Sequence, residues 1–341
     1  EIIPSEPPSY VNQADDQLSI EEMYLLAQKY DRSLNRIKAR EYYNKILEID
    51  SLQLSALRDL AILEFEAANY DKTSGMLTKA LEQIPNDDGI AWYFLGLCRL
   101  RQNNTEDAIR CGFKASRCLG TESIGFDLAG RSYMLQKRFP EAISAFEKAT
   151  LANQNNASSY HHFLIALYCN GQKEKALELT KARIIKSPTE LTVRALEAII
   201  LADSTEFASN ARKFVGEYDF EILATSIAFS ELGLSKEAAW ILETSCINGL
   251  DEEKQNFLIQ YHLAFLYFQT GNLNKSSDYL LKASRNNQDF IFASRPETME
   301  VLEYAVKQNP GDALAFSQLG NLYGNFGRLD EAAINWNKAV K

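Results

Sequence analysis

The feature that most constrains this chain is an internal period of 34 residues. Two unrelated series of side chains keep that interval: Trp92, Phe126 and Tyr160, and Ala108, Ala142 and Ala176. Several positions that share one interval indicate a repeat architecture, in which each unit stacks on its neighbours because it cannot bury its apolar face alone. The 341-residue chain is therefore expected to be an array of repeats.

Each period contains two helical patterns. Apolar residues recur at i, i+3, i+4 and i+7, a short polar turn follows, and a second such run completes the unit. Gly96, Gly130 and Ala61 are expected where the two helices approach closely, since a larger side chain would hold the backbones apart. Four further glycines are expected to end the first helix of their hairpins: Gly171, Gly233, Gly271 and Gly327.

Two motifs carry a family resemblance. Trp92-x-x-Leu95-Gly96 with Ala108 and Ala115, and Leu319-Gly320-x-x-Tyr323 with Ala332 and Ala339, resemble tetratricopeptide repeats. The resemblance implies an all-α fold, a right-handed superhelical α-solenoid of stacked helix-turn-helix hairpins. It also implies that the first helix of each hairpin lines the concave surface.

The repeat predicts an organisation along the chain. It comprises an acidic, Pro-containing linker at 1–19, five hairpins at 20–188, a degenerate hairpin at 189–218, two hairpins at 219–288, an irregular segment with a single helix at 289–312, and a final hairpin at 313–341.

A second resemblance concerns the single predicted helix. Arg295-Pro-Glu-Thr-x-x-Val-Leu-Glu, followed by Asn309-Pro-Gly-Asp-Ala, is similar to the carboxyl-terminal part of large bacterial proteins. Those proteins carry an amino-terminal mutarotase-like β-sandwich before their repeats. The resemblance implies that this chain is a fragment, and as an alternative function it implies a helical accessory region of a carbohydrate-associated protein.

Charge argues against a nucleic-acid partner. The formal charge is −10, and residues 1–22 contribute six acidic side chains without any Lys or Arg. The nearly balanced remainder lacks the basic stripe that phosphate binding needs. Apolar runs also stay short of the eighteen or so residues of a membrane span. We therefore expect neither a nucleic-acid partner nor a membrane-spanning helix.

Catalytic and metal-binding patterns are missing from the sequence. The three histidines have no metal-ligand spacing to Cys or carboxylates, and no phosphate loop or nucleophile elbow occurs. We therefore expect no enzyme activity, metal or cofactor. The odd number of cysteines without a C-x-x-C pair favours reduced thiols and a cytoplasmic location, with the periplasm left open.

The candidate binding residues come from the positions that face the groove in tetratricopeptide repeats. They are Arg58, Tyr93, Leu97, Arg131, His161, Tyr168, Tyr261, Phe265 and Phe268. Because this set is largely aromatic and apolar, it predicts a scaffold that binds a peptide, a helix or the protein's own upstream domain. The alternative reading is that some of these side chains simply pack inside the superhelix. The oligomeric state stays open.

Overall fold

A computed structural model describes residues 18–83, 88–215, 219–248, 250–251, 255–286 and 291–340. Most of the predicted linker at 1–19 therefore lies outside the described residues. In the described part the chain forms these helices: α1 Ile20–Arg32, α2 Arg36–Ile49, α3 Leu54–Glu66, α4 Tyr70–Gln83, α5 Gly89–Arg101, α6 Thr105–Ala115, α7 Glu122–Leu135, α8 Phe139–Ala152, α9 Ala157–Cys169, α10 Lys173–Lys186, α11 Leu191–Leu201, α12 Ser204–Val215, α13 Phe220–Ser230, α14 Ser235–Leu242, α15 Phe257–Gln269, α16 Leu273–Arg285, α17 Glu297–Gln308, α18 Ala313–Asn325 and α19 Leu329–Ala339.

Consecutive helices pack as antiparallel hairpins that stack side by side, which confirms the predicted all-α solenoid. Glycine permits the close approach inside a hairpin. A Cβ added to Gly130 of α7 would lie 2.4 Å from the ring of Phe146 in α8, and one added to Gly320 would lie 2.5 Å from Trp336. The prediction that small residues mark helix crossings is confirmed at these sites.

The turns inside the hairpins share one backbone conformation. Gly171, Gly233, Gly271 and Gly327 have φ between 74° and 80°, the left-handed conformation in which glycine ends a helix without a steric penalty. Other hairpins place a residue with a side chain there: Leu34, Ala68, Asn103, Lys137 and Ala202. The conformation is thus set by the hairpin and not by glycine alone.

Side-chain caps begin many of the helices. The hydroxyl of Ser19 accepts from the backbone N–H of Glu22, whose carboxylate in turn accepts from the N–H of Ser19. Asn and Asp cap other helices in a similar way. These caps satisfy N–H groups that have no partner within their helix.

Two segments depart from the regular hairpin. A π-helical turn, Glu243–Ile247, continues α14, and α17 stands alone between the α15–α16 hairpin and the α18–α19 hairpin. Because α17 replaces a whole hairpin, the stacking order near the carboxyl-terminal end differs from that of the first five hairpins.

The superhelix closes on itself. Ala67 and Ala68, in the turn between α3 and α4, share an apolar cluster with Met299 of α17 and Phe326 beside α18. Arg328, in the turn between α18 and α19, donates from Nη1 to the carbonyl oxygen of Ala67 at 3.2 Å. The turns of an early and a late hairpin are therefore in direct contact.

The five cysteines are free thiols. Four are buried, and burial raises the pKa of Cys98 to about 12. Burial raises the pKa of the half-buried Cys169 thiol to about 12 as well. Protonated thiols of this kind behave as small apolar side chains.

Candidate binding cavity inside the superhelix

Closure of the superhelix leaves an open cavity of about 400 Å³ between two walls of helices. Helices α3, α5 and α7 form one wall, and α13, α15 and α17 form the other. The lining residues are Phe65, Leu97, Leu100, Arg101, Asn103, Arg131, Leu135, Ser226, Ile227, Ser230, Glu231, His262, Phe265, Leu266, Gln269, Glu297, Glu300 and Val301. We call this space the central cavity.

Ion pairs cross the central cavity at one side. Glu231, at the end of α13, accepts from Arg101 at 2.8 Å and from Arg131 at 3.0 Å. Arg101 also lies 3.8 Å from a carboxylate oxygen of Glu297 in α17. Two arginines of one wall are thus held by carboxylates of the other wall.

Burial and charge act in opposite directions on these groups. Burial alone would raise the pKa of Glu231, but the charges of Arg131 and Arg101 outweigh it and hold that pKa below its usual range. Burial would likewise lower the pKa of Arg131, and the Glu231 charge outweighs that effect and raises it. Glu231 and Arg131 are therefore both charged at neutral pH.

The remaining lining mixes apolar and polar side chains. Phe65, Leu97 and Leu100 line one wall, and Ile227 and Phe265 line the other. Serine, amide and carboxylate side chains lie among them on both walls. The polar groups orient a ligand and the apolar groups supply contact area.

A second pocket of about 450 Å³ lies farther along the first helices, between α9, α11 and α13. His161 occupies it, with Nε2 at 2.8 Å from Glu190, which also accepts two hydrogen bonds from Arg183. Burial lowers the pKa of His161 and outweighs the opposite effect of Glu190. His161 is therefore a neutral, oriented side chain at neutral pH.

The structure brings together only part of the predicted residue set. Leu97, Arg131 and Phe265 line the central cavity. Tyr93 is half-buried near Arg131, and burial raises the pKa of its phenol. His161 lies in the second pocket.

Besides Tyr93 and Tyr261, three predicted residues line neither the central cavity nor the second pocket. Arg58 of α3 is bound to Asp59 at 2.8 Å and Asp88 at 3.3 Å. Phe268 stacks on Tyr304 with ring centroids 4.6 Å apart. Tyr168 is half-buried and packs at the edge of the largest apolar cluster.

The prediction that Tyr261 faces a partner is wrong. Its side chain is fully buried, and its hydroxyl donates to Asp312 at 2.9 Å. Asp312 also caps α18 by accepting from the N–H of Ala315. The beginning of α18 therefore covers the face of α15 that the repeat pattern assigns to the groove.

Arg101, Glu231 and Glu297 belong to the cavity but not to the predicted set. Each lies near the end of a first helix or in α17, outside the groove-facing repeat positions used for the prediction. Their pairing depends on the closure of the superhelix, and a local sequence pattern carries no signal for it.

Two further findings concern metals and membranes. Among the described residues, no group of three or more His, Cys, Asp and Glu side chains is placed to hold a metal ion. In the same part of the chain, no helix has both the length and the apolar character of a bilayer span.

Known proteins share the fold. Residues 259–290 match the family model of the tetratricopeptide repeat. The chain is similar to the crystal structure of a tetratricopeptide repeat protein from Parabacteroides merdae, with 10% identity over 84% of this chain and 98% of that chain and a TM-score of 0.51. It is also similar to yeast Tom70, with 16% identity over 89% and 67% of the two chains and a TM-score of 0.50. A sequence comparison with the curated proteins gives no match.

Proposed function

We propose that this chain is a protein-binding scaffold that holds an extended segment of a partner polypeptide in the central cavity. The observation that carries the proposal is the lining itself, where apolar side chains of both walls surround a space crossed by the Arg101, Arg131 and Glu231 charges. An extended segment has unpaired backbone N–H and C=O groups as well as side chains. The polar side chains of the lining can bind the backbone groups, and its apolar side chains can contact the side chains of the segment.

The chemistry of the lining favours an extended segment over a helix. The volume of about 400 Å³ falls within the range of roughly 300 to 1,000 Å³ that is common for ligand sites. The lining also carries hydrogen-bonding side chains on both walls, such as Asn103 and Gln269. An extended segment has backbone N–H and C=O groups free to bind them, whereas a helix pairs most of these groups internally.

Each wall contributes a separate part of the binding energy. Leu97 and Phe265 would contact apolar side chains of the segment from opposite sides. Burying one such side chain contributes about 1.5 to 3 kcal/mol, which corresponds to about tenfold or more in affinity. Glu300, which lines the cavity, can accept from backbone N–H groups of the segment.

The test begins with a random-peptide display library selected on the full chain. Enriched peptides are then titrated calorimetrically against wild type, Phe265→Ala and Leu97→Ala, with Ile185→Ala, an exposed residue of α10, as the control. We expect at least about tenfold weaker binding to each cavity variant and unchanged binding to the control. Equal binding to wild type and both cavity variants would overturn the proposal, as would a selection that enriches no peptide.

A further inference from the structure

The central cavity lies at the carboxyl-terminal ends of the first helices. The last residue of four helices lines it: Arg101 of α5, Leu135 of α7, Ser230 of α13 and Gln269 of α15. Phe65, the last residue but one of α3, lines it as well. Five helices therefore end at one space.

Helix ends of this kind carry a partial negative charge. The last carbonyl oxygens of a helix have no partner within it, and the peptide dipoles add up to about half a negative charge there. The chain itself binds a cation at one such end, because Arg328 donates to the carbonyl oxygen of Ala67, the residue that follows α3. The five ends together therefore favour a positive charge in the central cavity.

The acidic and basic side chains of the lining add to this preference. Three carboxylates, those of Glu231, Glu297 and Glu300, accompany the guanidinium groups of Arg101 and Arg131. The arginines pair with Glu231 and Glu297, whereas Glu300 forms no ion pair with any described residue. The lining thus leaves one carboxylate without a cation.

The position of Glu300 does not cancel its charge. Glu300 is exposed and lies in the first turn of α17, which begins at the cavity. The beginning of a helix carries only about half a positive charge, and Glu297 and Glu300 share that turn. A net negative charge therefore remains on this side of the central cavity.

An acidic side chain of a partner has no comparable place. It would need Arg101 or Arg131, and both already donate to Glu231, at 2.8 Å and 3.0 Å. Displacement of Glu231 would leave a partly buried carboxylate without its counter-charges, which is unfavourable.

We propose that the partner segment is basic and places a lysine or arginine side chain in the central cavity, paired with Glu300. This inference rests on the proposed function, because it gives the charge of the segment that the function requires. The cationic group lies between Glu300 and the ends of the first helices. The aliphatic part of the same side chain contacts the apolar lining, as long basic side chains commonly do.

A competition between three peptide sublibraries tests the sign of the charge. Each displays nonapeptides with Arg, Gln or Glu fixed at the centre, and charged residues are excluded from the other eight positions. All three compete for the full chain. We expect the Arg sublibrary to be enriched over the Glu sublibrary by at least about tenfold, with Gln between them. Equal enrichment, or enrichment of Glu over Arg, would overturn the proposal.

Calorimetric titration of an enriched Arg peptide then locates the contact. The peptide should bind Glu300→Lys about tenfold more weakly than wild type. Its citrulline analogue, which has a similar shape and no charge, should bind both proteins alike. The matched control is Glu206→Lys, since Glu206 is likewise exposed in the first turn of a helix but lines neither pocket. Equal binding of the Arg peptide to wild type and Glu300→Lys would overturn the proposal.

These results can be told apart from a failure of the proposed function. Gln peptides that bind as tightly as Arg peptides and are weakened by Phe265→Ala would overturn the basic segment and leave the central cavity as the binding site. Peptides whose binding Phe265→Ala and Leu97→Ala both leave unchanged would overturn the proposed function and the basic segment together. Circular dichroism checks the folding of each variant.

Discussion

Arg328 donates a hydrogen bond of 3.2 Å to the carbonyl oxygen of Ala67, which lies 261 positions earlier in the chain. The acceptor follows the last residues of α3, where helix carbonyls lack partners within the helix and carry a partial negative charge. A cation is favourable at that place. The contact joins hairpins that are distant along the solenoid and thereby closes the superhelix.

Replacement of Arg328 measures the strength of that closure. Arg328→Ala is expected to lower the free energy of unfolding by about 2 kcal/mol more than a matched variant does, since a hydrogen bond from a charged group contributes about 1.5 to 3 kcal/mol. The matched control variant is Arg138→Ala. Urea denaturation measures both variants.

The two arginines have closely similar local contacts. Arg138 and Arg328 each bond the Glu three residues later, and they lie 4.6 Å and 4.5 Å, respectively, from the centroid of a tyrosine ring. Only Arg328 reaches the α3 carbonyl. Equal destabilisation by the two substitutions would show that closure contributes nothing to stability.

Glu231→Gln removes the charge that holds Arg101 and Arg131 together across the central cavity. Two partly buried guanidinium groups would then face each other without a full counter-charge, at a cost of about 2 kcal/mol. We expect a larger radius of gyration in X-ray solution scattering and a lower free energy of unfolding. Glu243→Gln, which also removes a salt bridge but lies away from the cavity, should leave the radius unchanged.

Acidification should destabilise the protein through His262. Burial in the fold lowers the pKa of His262 to about 3, with a further contribution from the Arg295 charge, against 6.5 for an ordinary histidine. Between these values the unfolded chain binds a proton that the folded chain does not, so stability falls as pH drops below about 6.5, by about 1.4 kcal/mol per pH unit for one proton.

The measurement is urea denaturation between pH 7 and pH 5, a range above the usual carboxylate pKa values. The pKa of His161 is lowered as well, so wild type has contributions from both histidines. His262→Gln should show a shallower decline because only His161 remains. Identical slopes for the variant and wild type would contradict the assignment to His262.

Lys137→Gly should stabilise the protein by about 1 kcal/mol. Lys137 has φ of 59° in the α7–α8 turn, and the left-handed conformation costs a residue with a Cβ about 1 to 2 kcal/mol, part of which is offset by glycine's greater entropy when unfolded. Gly171→Ala at the corresponding turn should have the opposite sign, because Gly171 has φ of 78°. Thermal unfolding of both variants checks the signs, and a destabilised Lys137→Gly would contradict the argument.

The fold could be predicted from the sequence because its determinants are local. The 34-residue spacing of Trp92, Phe126 and Tyr160 reflects one repeated hairpin, and Gly171 marks a turn by its own conformational freedom. The central cavity could not be predicted in the same way. Its pairing of Glu231 with Arg131 depends on the accumulated rotation of several hairpins, and no single repeat encodes that sum.

The burial of Tyr261 could not be predicted from the repeat pattern either. The repeat pattern places it on the concave face, and in a uniform array it would be accessible there. Helix α17 replaces a hairpin, however, and brings Asp312 at the beginning of α18 onto the tyrosine hydroxyl. Tyr261 is thus covered by a residue 51 positions later in the chain, while its own helix stays regular.

The two walls of the central cavity are made at different times during synthesis. Hairpins contact mainly their neighbours, so the early hairpins can fold while later residues are still being synthesised. The wall that carries Phe65, Leu97 and Leu100 is then finished well before α13, α15 and α17 exist to face it. A nascent chain therefore exposes these apolar side chains more than the completed protein does, and we expect a chaperone to have most access to them during that interval.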